Sequence, residues 1–295
     1  MAVSNSITTD TTAAFLDQYA VFGNPVAHSL SPRIHALFAE QTQQAMHYSA
    51  QHIPQDHFNA SVRAFFDNGG CGLNITVPFK SCAFELADRL SKRARTAGAV
   101  NTLWQKAGVM YGDNTDGVGL INDLTFHHGM PLQGKRILVL GAGGAARGVL
   151  EPLLAENPEA IVIANRTTMK AEQLARAFSK QGNISGTGFD SIDGSFDVVI
   201  NGTSAQLSGQ RLSIPAHVLT MHTFCYDMMY TRDSSTTAFL QWAEYHDIPK
   251  AQCADGLGML IYQAAEAFTL WRNKPVDALA VFNALNAERH KNRAT

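Results

Sequence analysis

The sequence predicts an α/β protein of two domains, on three observations. The chain has 295 residues, long enough for two domains of roughly 100–200 residues each. Strand-like and helix-like segments alternate along most of its length. A break at Gly129-Met130-Pro131 is followed by a second alternating series that begins with an apolar run and a glycine-rich turn. Composition agrees. Hydrophobic residues make up 45% and charged residues 16%, which suits a packed core and not a disordered chain.

Residues 1–17 are polar, Thr/Ser-rich and aperiodic, and read as a loose tail. Tyr19–Gly23 reads as a strand closed by a turn at Asn24-Pro25. Ser31-Pro32 then offers an N-cap with proline at the first helical position, ahead of RIHALFAEQ with its helical apolar spacing. A strand follows over His47–His52, and after Pro54 comes a helix with Phe58, Val62 and Phe65 on one face. CGLNIT is a third strand, stopped by Pro78. This β-α-β-α-β order implies a mostly parallel sheet. Val100–Trp104 and Gly108–Tyr111 form a hairpin that leads into a helix over Asp116–His127. The domain border falls within residues 117–132. Beyond it come a strand at Arg136–Leu140, a helix, a strand at Ala160–Ala164, a helix at Thr168–Lys180, and strands at Asp197–Ile200 and Thr223–Tyr226. Two amphipathic helices, Leu257–Trp271 and Val276–Arg289, close the chain and need a surface to cover. A return to the first domain would supply one.

Several function classes are excluded. Formal net charge is −2, so no basic excess exists to neutralise nucleic-acid phosphates. No apolar run approaches the roughly 18–20 residues of a membrane span. The first residues lack the cationic start and apolar block of a signal peptide. Cys71, Cys82, Cys225 and Cys253 form no C-x-x-C pair, which argues against a zinc ribbon or a disulfide framework and for the reducing cytoplasm. His28, His127 and His128 show no partner carboxylate or second ligand in the sequence. They read as structural or exposed, and no metal site is expected.

Gly141-Ala142-Gly143-Gly144-Ala145-Ala146 matches G-x-G-x-x-[G/A] between a continuous apolar strand and a helix. The first glycine permits the tight turn, the second admits a pyrophosphate to the backbone, and a small third residue lets helix and strand pack closely. The helix N-terminus adds free N–H groups and a partial positive charge. This reads as a dinucleotide site, with a methyltransferase's nucleotide-like cofactor as the competitor. At the end of the next strand, where an acidic residue would bond the ribose hydroxyl of NAD, stand Asn165, Arg166 and Thr167, with Lys170 one turn on. A carboxylate would repel a 2′-phosphate, whereas Arg166 can pair with it and stack on adenine. NADP is therefore expected, unless Arg166 and Lys170 are ordinary surface charges.

In the first domain, polar residues interrupt segments that otherwise read as core: Ser29 and Ser31 in HSLSP, Asn74, Thr76 and Lys80 in GLNITVPFK, Asn101 in AGAVNT, and Asn114, Thr115 and Asp116 in GDNTDG. Hydroxyls, amides, one amine and one carboxylate are what a site needs to hold a polyhydroxylated acid and move a proton. Taken singly, each has a plainer reading. Lys80 could open a helix at the surface, Asp116 and Ser31 could be N-caps, and Asn74 and Asn101 could bond loop backbone.

Together, VFGNPVAHSLSP, GLNITVPFK, AGAVNT, GDNTDG, GAGGAARG, ANRT, NGTS, YDMMY and ADGLGMLIYQA, in that order from residue 21 to about 265, resemble the shikimate dehydrogenase family. The resemblance implies a substrate domain of residues 18–118 and 255–295, completed by the C-terminal helices, with a Rossmann-type doubly wound NADP domain (119–254) inserted. Ser29 and Ser31 would bind the substrate carboxylate, and Thr76, Asn101, Tyr230 and Gln263 the rest of the substrate. Lys80 and Asp116 would be the acid–base pair, with Lys80 supplying the proton when 3-dehydroshikimate is reduced to shikimate. Gly141, Ala142, Gly143, Gly144, Ala145, Asn165, Arg166, Thr167 and Lys170 would hold NADP, with Met228 and Gly256 near the nicotinamide. The implied state is a monomer or homodimer. Lys170 departs from the arginine common in the family, and Thr231–Thr237 is longer and more polar than usual. A quinate/shikimate dehydrogenase and a non-catalytic NADP- or shikimate-binding relative are the alternatives. Arg166→Asp is expected to weaken NADP binding far more than NAD binding; equal losses in fluorescence titrations with the two cofactors would contradict the NADP reading.

Overall fold

The computed structural model describes residues 16–203 and 214–294. The expected N-terminal tail lies almost wholly outside the described residues. The first half runs β1 (Asp17–Gly23), α1 (Ser31–Thr42), β2 (Met46–His52), α2 (Phe58–Asp67), β3 (Gly70–Ile75), α3 (Lys80–Leu86), β4 (Arg89–Leu90), α4 (Lys92–Ala97), β5 (Thr102–Lys106), β6 (Val109–Asp113) and α5 (Asp116–Asn122). Next come β7 (Arg136–Leu140), α6 (Gly144–Ala155), β8 (Ala160–Ala164), α7 (Thr168–Phe178), β9 (Ile184–Thr187), β10 (Val198–Asn201), β11 (Phe224–Asp227), α8 (Ala238–Tyr245) and β12 (Cys253–Ala254). Helices α9 (Leu257–Arg272) and α10 (Ala278–Ala294) end the chain.

Among the described residues the strands form two six-stranded sheets, and the fold is the two-domain α/β architecture expected. The first sheet has the order β2-β1-β3-β5-β6-β4. It is mixed: β1, β2 and β3 are parallel, while β5 runs antiparallel to both β3 and β6. The β5–β6 hairpin turns through Ala107 and Gly108, with φ of 50° and 77°. Two positive φ values make the mirror-image turn whose twist matches that of paired strands. Phe58, Val62 and Phe66 of α2 bury a stripe at four-residue spacing against Phe22, Leu73 and Ile75. Phe65, expected on that stripe, sits at its rim, with its ring edge-on to Phe22.

Two helix starts differ from the sequence reading. Ser31 is the first residue of α1 and Leu30 occupies the cap, where no side chain bonds the helix; the Ser31 N–H is instead taken by Ser29 Oγ at 3.2 Å. Asp116 likewise lies inside the first turn of α5, after Thr115. Its carboxylate is thereby left for other partners. The expected helix Asp116–His127 is α-helical only to Asn122, and Asp123–His127 forms a π turn.

The second sheet, order β12-β11-β10-β7-β8-β9, is parallel throughout. Counted from β7 this is the doubly wound order 3-2-1-4-5-6, whose direction reverses between β7 and β10 and opens a crevice at their carboxyl ends. Helices α6 and α7 cover one face through Val149, Leu153, Leu174 and Phe178. Helix α8 covers the other through Phe239, Leu240 and Ala243. Burial on both faces explains why β7 and β8 read as unbroken apolar runs. The short elements β4, α4, β9, α8 and β12 had no sequence signal strong enough to be read.

The closing helices pack on α1: Ile261, Phe268, Val281 and Leu285 meet Ile34 and Phe38. Arg272 fixes the same junction, pairing with Asp17 and donating to Gln44. No helix among the described residues is long and apolar enough to cross a membrane. Helix α9 also crosses α5 at Gly119, where a Cβ would lie 2.6 Å from the Met259 carbonyl oxygen and 2.8 Å from Gln263 Cβ. Gly119→Ala should therefore push α5 and α9 apart and cost about 1–3 kcal/mol, the usual range for overpacking. An unchanged urea midpoint would refute that close crossing.

Candidate active site

The first sheet gathers its polar residues at one end. Strands β1 and β3 run in the same direction, so their carboxyl ends, Asn24 and Thr76, lie side by side, and the Asn24 N–H donates to the Val77 carbonyl at 2.9 Å. The antiparallel β5 begins at that end with Asn101 just before it, and β6 finishes there at Asp113. Asn114, Thr115 and Asp116 follow directly and turn the chain into α5.

At this end Lys80 Nζ donates to Asp116 Oδ2 at 2.5 Å. The Lys80 side chain keeps 26% of its surface exposed and that of Asp116 10%, so the pair is open on one side only. Asp116 Oδ1 accepts from Asn101 Nδ2 at 2.8 Å. The same amide nitrogen reaches Thr115 Oγ1 at 2.9 Å and Gln263 Oε1, on α9, at 3.3 Å. Asn101 Oδ1 accepts from the Thr115 N–H and from Thr102 Oγ1. With both ends of its amide engaged, Asn101 has one orientation and holds the carboxylate in one place. Lys80 opens α3, and its own carbonyl accepts from the Val100 N–H at 2.9 Å, which ties the amine's backbone to the strand that carries Asn101.

Of the other polar residues of the first domain, Asn74 is hydrogen-bonded to this cluster. Tyr48 Oη donates to Asn74 Oδ1 at 2.7 Å, and Asn74 Nδ2 donates to the Asn101 carbonyl at 3.2 Å. Burial pushes the Tyr48 phenol well above its ordinary value, opposed by a hydrogen bond with Ser31. Ser29 and Ser31 meet at the start of α1, where Ser29 Oγ accepts from the Ser31 N–H. Tyr230 packs with Leu30 against the apolar cluster of α1 and α9, and burial raises its phenol. Thr76 lies against Gly23, where any Cβ would collide with the threonine methyl.

The second sheet offers a cradle at its switch point. Gly141 has φ +102°, and a Cβ there would lie 3.1 Å from Thr203 Cγ2 and 3.2 Å from the Gly202 carbonyl oxygen, so only glycine suits the turn. At Gly143 and Gly144 a Cβ would meet nothing within 4 Å. Gly143, Gly144 and Ala145 are exposed at the start of α6, with its first N–H groups facing open space. This fits the pyrophosphate of a dinucleotide. Asn165, which is half-buried, ends β8 and caps its own turn by donating to the Thr167 carbonyl. Arg166, Thr167 and Lys170 stand exposed beside it. A 2′-phosphate there would meet the cationic side chains of Arg166 and Lys170. The two halves touch at α6. Arg147 Nε donates to the Ala97 carbonyl at 2.7 Å, and a Cβ on Gly148 would lie 3.8 Å from Asp116 Oδ2. The Lys80–Asp116 pair thus sits beside the helix that the glycine turn opens.

A buried brace, which no single residue of NGTS or YDMMY signals in the sequence, stands at the carboxyl ends of β10 and β11. Asn201 Nδ2 donates to Asp227 Oδ1 at 3.0 Å, and Asn201 Oδ1 accepts from both the N–H and the hydroxyl of Thr203. Thr237 Oγ1 and the Met229 N–H also donate to Asp227. The brace sets Met228, whose carbonyl a Cβ on Gly256 would strike. His127, read from sequence as lacking a carboxylate, has one: its Nδ1 lies 2.7 Å from Asp123 Oδ1. The two are four residues apart, a spacing that puts side chains on one face of a helical turn.

Comparison with known proteins gives a consistent result. Residues 21–103 match the family described as shikimate dehydrogenase substrate binding domain, residues 124–212 the shikimate / quinate 5-dehydrogenase family, and residues 256–284 the shikimate 5′-dehydrogenase C-terminal domain. The shikimate dehydrogenase (NADP(+)) of Alkalilimnicola ehrlichii is 53% identical over 272 residues, 92% of this chain and 99% of that protein. Among solved structures, an Ael1 enzyme from Pseudomonas putida is 43% identical with a TM-score of 0.83, covering 91% of this chain and 98% of that one. The shikimate 5-dehydrogenase of Thermus thermophilus, solved in complex with NADP(H) and shikimate, is 30% identical with a TM-score of 0.79, covering 92% and 99%.

Burial pushes the Asp227 carboxyl up to about 6, against the opposing hydrogen bonds from Thr237, Met229 and Asn201. A carboxyl raised by folding binds its proton more tightly in the native state. Its stabilising contribution is therefore full below the unfolded value and is lost as pH rises through about 6. Asp227→Asn should flatten the stability–pH curve between about pH 4 and pH 6; parallel slopes of urea midpoint against pH in the two proteins would contradict the assignment.

Proposed function

Because the chain belongs to the shikimate dehydrogenase family, we propose that it is an NADP-dependent oxidoreductase interconverting 3-dehydroshikimate and shikimate in the biosynthesis of aromatic compounds. The observation that carries the reading is the half-open Lys80–Asp116 pair, held by Asn101 and set against α6. In this reading residues 18–118 and 255–295 bind the substrate and 119–254 bind NADP. Ser29 and Ser31 take the carboxylate, while Thr76, Asn101, Tyr230 and Gln263 bond the rest of the substrate. Gly141 to Ala145 receive the pyrophosphate, Asn165, Arg166, Thr167 and Lys170 the adenosine 2′-phosphate, and Met228 and Gly256 adjoin the nicotinamide. The four cysteines are all unpaired, in keeping with a cytoplasmic enzyme.

NADP, when bound, supplies the hydride acceptor or donor. Lys80 handles the proton. As the ammonium it protonates the alkoxide formed on reduction of the ketone, and as the amine it takes the proton back on oxidation. Its charge also stabilises the developing oxyanion. Asp116 orients the amine and has Oδ1 fixed by Asn101, so the pair needs little rearrangement between the two directions. Asn101 and Gln263 present a preset amide lattice to the hydroxyls of the ring. That lattice favours a substrate with matching donors and acceptors over one lacking them.

The decisive assay follows nicotinamide absorbance with purified protein, shikimate or quinate, and NADP or NAD. Turnover with shikimate and NADP is expected. Faster turnover with quinate would indicate the quinate-using variant of this scaffold, and NADPH binding without turnover a non-catalytic relative. Lys80→Ala is expected to lower kcat by orders of magnitude with little change in shikimate affinity; near-normal kcat would remove Lys80 from the mechanism.

A further inference from the structure

We propose that Asp123, His127 and His128 form a binding site for one divalent transition-metal ion of the zinc type, at the far end of α5 from Asp116. Asp123 Oδ1 lies 2.7 Å from His127 Nδ1 and 3.6 Å from His128 Nε2, and the three ligand atoms all fall within 4.8 Å of one another. Bonds of ~2.0–2.1 Å at tetrahedral angles put neighbouring ligand atoms about 3.3 Å apart. The two separations from Asp123 bracket that spacing, so small side-chain rotations admit an ion. Two imidazoles and one carboxylate suit zinc and its neighbours and leave a coordination position for water.

The convergence has a backbone cause. Asp123–His127 is a π turn, and the His128 N–H bonds the Asp123 carbonyl at 3.0 Å. In a regular α-helix His128 would stand about 140° round the axis from Asp123. The wider turn brings it back over the carboxylate, and such single π turns recur at functional sites. The two imidazoles stack with centroids 4.4 Å apart and planes 28° apart, so both rings face the same carboxylate.

The surroundings resemble those of a built site. Tyr226 Oη donates to Asp123 Oδ2 at 2.6 Å, which fixes the carboxylate with Oδ1 toward the two imidazoles. The Asp123 side chain is fully buried, while the side chains of His127 and His128 keep 15% and 24% of their surface exposed, giving an ion a path in. Gly258 of α9 packs directly on the carboxylate. Tyr226 belongs to β11, so a bound ion would pin the end of α5 where it meets both β11 and α9. Asp116 is seven residues away, roughly 10 Å along the helix, and the proposed catalytic pair is not part of this site.

The test uses full-length, untagged protein stripped by a chelator. Zn²⁺ is titrated by calorimetry, and Co²⁺ is titrated while its visible d–d bands are followed. One ion per chain at micromolar concentration is expected, with a rise in the thermal midpoint. His127→Ala and His128→Ala should each weaken Zn²⁺ binding at least about tenfold, and the double variant should lose the cobalt bands, as expected when ligands are removed from a three-ligand site. His57→Ala, at an exposed histidine beside Asp56, should bind zinc as the parent does. The buried Asp123 is left unchanged, so folding does not confound the result. Absence of saturable binding, undiminished binding by the double variant, or an equal loss in His57→Ala would overturn the proposal.

Discussion

An ammonium and a carboxylate 2.5 Å apart, brought together across 36 residues of sequence, set the terms for the rest of this molecule. Half-buried charges are costly unless each has a partner and its remaining lone pairs are bonded. The surroundings of Lys80 and Asp116 meet that demand. Asn101 bonds the second carboxylate oxygen, Thr102 and Thr115 fix Asn101, and the Lys80 backbone is hydrogen-bonded to Val100. Freedom remains only on the open side, where the amine has donors to spare.

Helix α5 carries this arrangement between the two sheets. Its first residue is the carboxylate of the pair, its middle crosses α9 at Gly119, and its end runs into the π turn that meets β11. A shift of α5 would move Asp116, the contact with Gln263 and the junction of the halves together. Arg147 and Gly148 of α6 close the contact from the other side, so the glycine turn and the acid–base pair hold a defined relation through packed backbone. Glycine matters here mostly for its lack of bulk. At Gly119, Gly148 and Gly256 the neighbouring element comes close enough to meet, or collide with, any side chain.

In the second half, a cluster of buried polar groups lies at the crevice. The interiors of β7, β8 and β10 are apolar, and polar atoms gather where β10 and β11 end: Asn201, Thr203 and Asp227. Asp227 is fully buried yet accepts from Asn201, Thr237 and Met229, which offsets part of the cost of its burial. The outcome is a rigid floor under Met228, opposite the exposed amides of α6.

How much the sequence determines follows from the range of the forces involved. Local patterning was enough for the long strands and helices, the hairpin, and the strand–glycine–helix unit, since each depends on periodicity or on a turn only glycine can make. It failed for α4, α8, β4, β9 and β12, which are too short to show a period and owe their shape to what they pack on. Lys80, Asp116, Asn101 and Gln263 could be nominated by residue type and family resemblance. Their shared hydrogen bonds, the displacement of Asp116 from cap to first turn, and the meeting of Asp123 with His128 and Tyr226 could not. Those depend on the register of β3 with β5, the crossing of α5 with α9 and the hydrogen bonding of one helical turn. Chain segments far apart in sequence decide such contacts only when they pack, because the energy that selects them does not exist until both partners have left water.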